Sequence, residues 1–207
     1  WRVDAVYPDK TVKGLLWSFA TAGFIGVDDF EAYNDIDPPD AESNRIFDKW
    51  IDGFGSTTNG ALVGNDLPPY AEQTIVHGGG QSMPYLYNNN LMTSEATLTL
   101  VYPRDWTEEG VTKLSLWFRG ASGNAADRMF VALNGNALLY HEDPAATQVA
   151  KWTEWVIDVQ ASADQGVALT NVNTITIGFG TKNAPVAGGT GKVYFDDIRL
   201  LRPAGQP

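Results

Sequence analysis

The stretch Gly191 to Leu201, G-K-V-Y-F-D-D-I-R-L-L, decides the fold. Alternate residues of a strand face opposite sides, so strict alternation puts Tyr194, Asp196, Ile198 and Leu200 on one face. That is an apolar row holding one carboxylate, with a second, Asp197, beside it. A buried carboxylate is costly unless it is paired, hydrogen-bonded or bound to a metal. A matching cluster, V-D-D-F-E at Val27 to Glu31, lies towards the other end. Together the two predict a sheet protein whose first and last strands meet, with Asp29, Glu31, Asp196 and Asp197 supplying oxygens to a hard cation. Calcium takes roughly six to eight such oxygens. The other role open to Asp196 and Asp197 is to cap loop amides or to pair with Lys or Arg.

The 207 residues suffice for one large all-β domain, or for one domain and a fragment of another. Aromatic residues make up 12% of the chain and there are 21 glycines, a balance that suits strands and turns. A net charge of -11 argues against nucleic-acid phosphates or an anionic membrane as partners. With no cysteine there is no disulfide framework or thiol chemistry, and two histidines are too few for a histidine-rich zinc site. No apolar run approaches the length of a membrane span. Because the chain opens on Trp1, it is expected to have been excised from a longer protein.

Residues 1–22 hold two alternating runs around Pro8-Asp9-Lys10, a β-hairpin signal, and residues 23–26 read as a linker. From Val27, D-D-F-E-A-Y-N-D-I-D-P-P-D carries six acids in thirteen residues. Ser43 to Asp48 suits one helical turn, and short strands follow at Asp48 to Gly55 and Ala61 to Asp66. Gln73 to Asn90, Q-T-I-V-H-G-G-G-Q-S-M-P-Y-L-Y-N-N-N, joins three glycines to a polar-aromatic strand. Further alternation puts Ala96, Leu98, Leu100 and Tyr102 on one face, with Thr97 and Thr99 on the other. It also gives core faces of Leu114, Leu116 and Phe118, of Trp155, Ile157 and Val159, and of Ile175, Ile177 and Phe179. Met129 to Leu133 and Ala137 to Tyr140 flank N-G-N as a hairpin. About ten short strands without a long helix predict an all-β sandwich or jelly roll.

No G-x-G-x-x-G, Walker, H-E-x-x-H or G-x-S-x-G pattern is present. The carboxylates nearest to a catalytic pair, Glu154 and Asp158, sit four apart on one strand rather than facing each other across a cleft. A non-enzyme is expected.

Several pieces in order, V-D-D-F-E-A-Y, G-G-Q-S-M-P-Y-x-Y-N-N, D-W-T, L-x-L-W-F-R-G, W-x-x-W, I-G-F-G and V-Y-F-D-D-I-R-L, resemble the carbohydrate-binding module-like jelly-roll domains of large bacterial extracellular proteins. The pattern is similar to modules of planctomycete-type proteins. The opening W-R-V-x-A and G-x-x-W-S-F-x-T resemble the closing hairpin of a fibronectin type III-like module. The resemblance implies residues 1–22 as such a tail, 27–203 as a galactose-binding or carbohydrate-binding module-like jelly roll, and 204–207 as a tail. It also implies an exported or cell-surface location, neighbouring domains in the same polypeptide, a structural calcium near the terminal strands, and a polysaccharide or glycan as partner. The alternative is a structural or adhesive surface domain with no sugar site.

Sugar binding needs flat aromatic faces beside amide, acid and guanidinium groups. The candidates are Trp117 and Arg119 on the non-core face of their strand, Tyr85 and Tyr87 with Asn88, and Trp152.

Overall fold

The computed structural model describes residues 2–16, 23–90, 93–186 and 188–203. Apart from a four-residue helix, α1 (Gln160–Ala163), and short 3-10 turns, every regular element is a strand. β1 (Ala5–Val6) and β2 (Thr11–Val12) form a separate two-stranded antiparallel hairpin. Of the expected second arm, Leu16 to Phe19, Leu16 bridges Arg2, while Trp17 to Phe19, like Trp1 and the 204–207 tail, lie outside the described residues.

The remaining strands make two sheets. One has the order β10 (Ala137–Tyr140), β9 (Met129–Leu133), β12 (Thr174–Phe179), β7 (Ser94–Thr99) and β4 (Trp50–Ile51). The other has the order β11 (Thr153–Asp158), β8 (Lys113–Arg119), β13 (Thr190–Leu201), β6 (Met83–Asn88) and β5 (Leu62–Val63). β3 (Phe24–Asp28) pairs antiparallel with β13, so the first and last strands of the sandwich do meet. Phe24 to Gly26, expected as linker, are the first half of β3.

The core between the sheets follows the predicted alternation. Leu114, Leu116, Phe118, Trp155, Ile157, Ile175, Ile177 and Phe179 are all buried. Tyr102 departs from it and is exposed beyond the end of β7. Asn134 and Gly135 both have positive φ in the tight turn joining β9 to β10, where Leu133 pairs with Ala137 across the three-residue N-G-N loop. Asp28 ties one sheet to the other. Its Oδ2 accepts from Tyr33 Oη at 2.6 Å and from Trp50 Nε1 at 2.8 Å, and its Oδ1 accepts from the Phe30 amide. Burial raises its pKa.

β13 does not keep a single alternation. Val193 and Phe195 face the core, Tyr194 and Asp196 face outward, and the register against β8 then shifts between Asp196 and Arg199. Asp197 sits at this bulge with φ +49. The extra residue turns Ile198 and Leu200 inward, where both are fully buried. The expected shared face of Tyr194, Asp196, Ile198 and Leu200 is therefore corrected to two faces, exchanged at Asp197.

Candidate functional site

The bulge organises a loop laid over the outer face of the six-stranded sheet. Asp196 Oδ2 accepts from the amides of His77 (2.7 Å) and Gly78 (3.1 Å), and its Oδ1 accepts from the Asp197 amide (2.8 Å). Asp197 Oδ2 lies 2.7 Å from His77 Nδ1, and its Oδ1 accepts from the Arg199 guanidinium. Glu31 Oε1 accepts from the Gly80 and Gln81 amides, both at 2.9 Å. Glycine is needed at 78 because a Cβ there would lie 2.6 Å from Asp197 Oδ2. Gly79 has φ +61, and a Cβ on it would meet the Glu31 carboxylate. Gly78 and Gly79 thus let the backbone close onto the Asp197 and Glu31 carboxylates. Burial pushes Asp196 up to about 6.

The chain itself already engages these carboxylates. Asp196, Asp197, Glu31 and Asp29 each already accept an N–H, Asp29 from the Glu31 amide, and a guanidinium occupies Asp197. Among the described residues, no group of three or more His, Asp or Glu side chains gathers as a metal cluster. The loop-capping and Arg-pairing role is the one these aspartates perform.

Three of the sugar-contact candidates come together on the same outer face. Trp117 stacks on the His77 ring at 3.8 Å between centroids and 15° between planes, and Trp152 meets His77 edge-on at 5.7 Å. Arg119 lies two residues along β8 from Trp117, directly opposite Tyr194 of β13. Tyr85 and Tyr87 do not join them. Both rings are buried in the core on Phe179, with hydroxyls donating to the carbonyls of Ile177 and Ala125. Tyrosine satisfies its hydroxyl inside a core this way, so its polarity did not mark an exposed face. Asn88 is exposed and caps its own turn, accepting from the Asn90 amide. Glu154 accepts from Ser115 Oγ and Asp158 pairs with Lys113 at 2.8 Å, so neither carboxylate is free.

Concave surface lies elsewhere: a cavity of about 390 Å³ sits between β10 and β11, and two larger ones flank the edge strand β4. A cavity of about 520 Å³ is lined by residues including Arg45, Phe54, Leu62, Asn65, Asp66 and Tyr70. A second, of about 530 Å³, lies on the outer face of the five-stranded sheet against Ile51, Thr58, Asn59, Glu95, Thr97 and Thr99. Asp52 lines both. The Phe54 ring is 88% exposed and Ile51 60%. Asp52 is fixed as an acceptor for the Phe54 and Val63 amides, which holds the ring-bearing turn in place. Glu95 pairs with Lys182, and Thr97 Oγ1 bonds Thr176 Oγ1. The two cavities therefore offer an apolar, aromatic stretch next to one of hydroxyls, amides and carboxylates. The sequence signal for part of this was the outward pair Thr97 and Thr99; Phe54 carried none.

No protein-family model matches the sequence, and no curated protein matches it. Solved structures share the fold. The solution structure of CtCBM11 superposes with a TM-score of 0.53 at 17% identity, over 88% of this chain and 97% of that one. An exo-β-agarase gives 0.53 at 12% identity, over 89% of this chain and 25% of the enzyme. A family 11 carbohydrate-binding module from Clostridium thermocellum, in complex with a β-1,3-1,4-mixed-linked tetrasaccharide, gives 0.44 at 16% identity, over 74% and 95%. The chain is a jelly-roll β-sandwich, and CtCBM11 is among the solved structures that share this fold.

Proposed function

We propose that this chain is a non-catalytic carbohydrate-binding module of an exported multidomain bacterial protein, and that it holds a neutral glycan along the two cavities flanking β4. The observation that carries this is the Phe54 ring, almost fully exposed beside a cavity that meets a hydroxyl- and carboxylate-lined one at Asp52. Asp52 pins the turn that holds this ring outward, and exposed apolar surface rimmed by polar groups marks binding sites. Sugar rings stack their C–H faces on such aromatics while their hydroxyls bond fixed amides and carboxylates. The hairpin fits the end of a preceding fibronectin type III-like module.

The test is affinity electrophoresis and calorimetry against soluble neutral polysaccharides, including mixed-linkage β-glucan, xyloglucan and agar oligosaccharides. Wild-type protein binds at least one, and Phe54→Ala weakens that binding at least tenfold without moving Tm. No binding across the panel, or unchanged binding by Phe54→Ala, contradicts the reading and leaves a structural or adhesive domain.

A further inference from the structure

The outer face of the six-stranded sheet carries groups with no protein partner. Arg119 is half-buried, yet among the described residues its guanidinium makes no ion pair or hydrogen bond, in a chain with 25 acidic side chains. The indole N–H groups of Trp117 and Trp152 and the hydroxyl of Tyr194 likewise have no hydrogen-bond partner among the described residues. None of these groups is a buried unsatisfied atom, so each is open to solvent or ligand.

The register brings them together. Tyr194 is directly opposite Arg119 on β13. Thr153 is opposite Phe118, which puts Trp152 in the row of Arg119 on the other side, and its contact with His77 keeps it on this face. Two rings therefore flank one guanidinium, roughly 10 Å apart by two strand spacings.

Of the negative charges nearby, Asp197 is held by His77 and Arg199 and Asp196 is covered by the loop, while exposed Glu154 accepts from Ser115 beside Trp117 and keeps its charge. Two more cations border the row: exposed Lys151 beside Trp152, and Lys192, whose Nζ donates to Asn65 Oδ1 and lies 5.1 Å from the Tyr194 ring centroid. What is left unspent is a set of donors between two aromatic faces. A guanidinium fork matches a planar carboxylate bidentately, and the rings match the C–H faces of a sugar.

We propose that this face is a second binding site, specific for a uronate-bearing polysaccharide, with Arg119 receiving the carboxylate and Trp152 and Tyr194 holding the flanking sugar rings. Arg119, Trp152 and Tyr194 line neither of the cavities around β4, and the site does not depend on them.

The probe is de-esterified polygalacturonate, titrated calorimetrically, with the same polymer after carboxyl reduction as control. Wild-type protein binds the uronate form and loses at least tenfold on the reduced form. Arg119→Gln weakens uronate binding at least tenfold with Tm unchanged, Arg119→Lys recovers only part of it because the fork is lost, and Phe54→Ala leaves it intact. Tyr194→Phe, which removes one hydroxyl and keeps the ring, gives a smaller loss and serves as the second variant should Arg119→Gln fail to fold. No binding of polygalacturonate, equal binding of the reduced polymer, or wild-type binding by a folded Arg119→Gln overturns the proposal.

Discussion

The outer faces of the two sheets are built on different plans. On the five-stranded sheet a strip of small or hydroxyl-bearing residues, Gly178, Ala132, Thr176, Thr97 and Thr99, runs beside Glu95 and the Phe130 and Tyr140 rings, and a cavity opens over its β7 and β4 side. On the six-stranded sheet they are rings and cations, Trp117, Arg119, Tyr194 and Lys192, and a glycine loop crosses them. Both inner faces obey the same apolar alternation. The core requirement therefore fixes which side of a strand points inward and leaves the chemistry of the outward side free. What that side can bind is set by what crosses it.

The crossing loop is where the contrast breaks most easily. Gly78→Ala places a Cβ against the Asp197 carboxylate, which is only 4% exposed and held by His77 and Arg199, so it has little room to yield. A loss of about 2–4 kcal/mol in urea unfolding is expected, with glycan binding at the β4 cavities retained. If the variant is as stable as wild type, the loop is not pinned in this way.

A second effect, of similar origin, reads the buried carboxylate itself. Asp196 titrates near 6 when folded, against about 3.9 when unfolded. Between those values the native state binds more protons, so its contribution to stability falls as pH rises from about 4 to about 6 and is flat above. The change is on the order of 3 kcal/mol at most. Chemical denaturation of wild type and Asp196→Asn across this range gives curves whose difference varies between pH 4 and 6 and levels off above. A difference that stays constant with pH shows that Asp196 is not the group responsible.

The smallest expected effect is that of calcium. With N–H donors and a guanidinium on the acid cluster, millimolar calcium after EDTA stripping leaves Tm unchanged within about a degree. A ligand bound only to the folded state at 100 times its Kd adds about 2.7 kcal/mol and moves Tm by several degrees. A rise of that size means that the carboxylates rearrange around an ion.

Much of this architecture was legible in the residues. The alternating runs of β8, β11 and β12 named their core faces, the N-G-N turn named its hairpin, and the pairing of the first and last strands followed from two acid clusters that each needed a partner. The acids' partner, however, was a loop far away in sequence. Three consecutive glycines matched no phosphate cradle, and nothing local tied them to Asp196. The bulge at Asp197 was hidden because one extra residue exchanges faces without disturbing an apolar pattern. Met83 to Asn88 misled for a related reason: Tyr85 and Tyr87 alternate with Leu86, and either set can face a core once the hydroxyls find carbonyls. The cavities around β4 draw on residues from Arg45 to Thr99 in two different sheets, a juxtaposition that only the folded chain supplies.

The central claim is that the β4 cavities are the neutral-glycan site. Its most direct measurement is amide chemical-shift mapping of the labelled protein during titration with a bound neutral oligosaccharide. The account predicts shifts concentrated at Ile51, Asp52, Phe54, Thr97 and Thr99, with Trp117, Arg119 and Trp152 unmoved. Shifts confined to the Trp117, Arg119 and Trp152 face would contradict it.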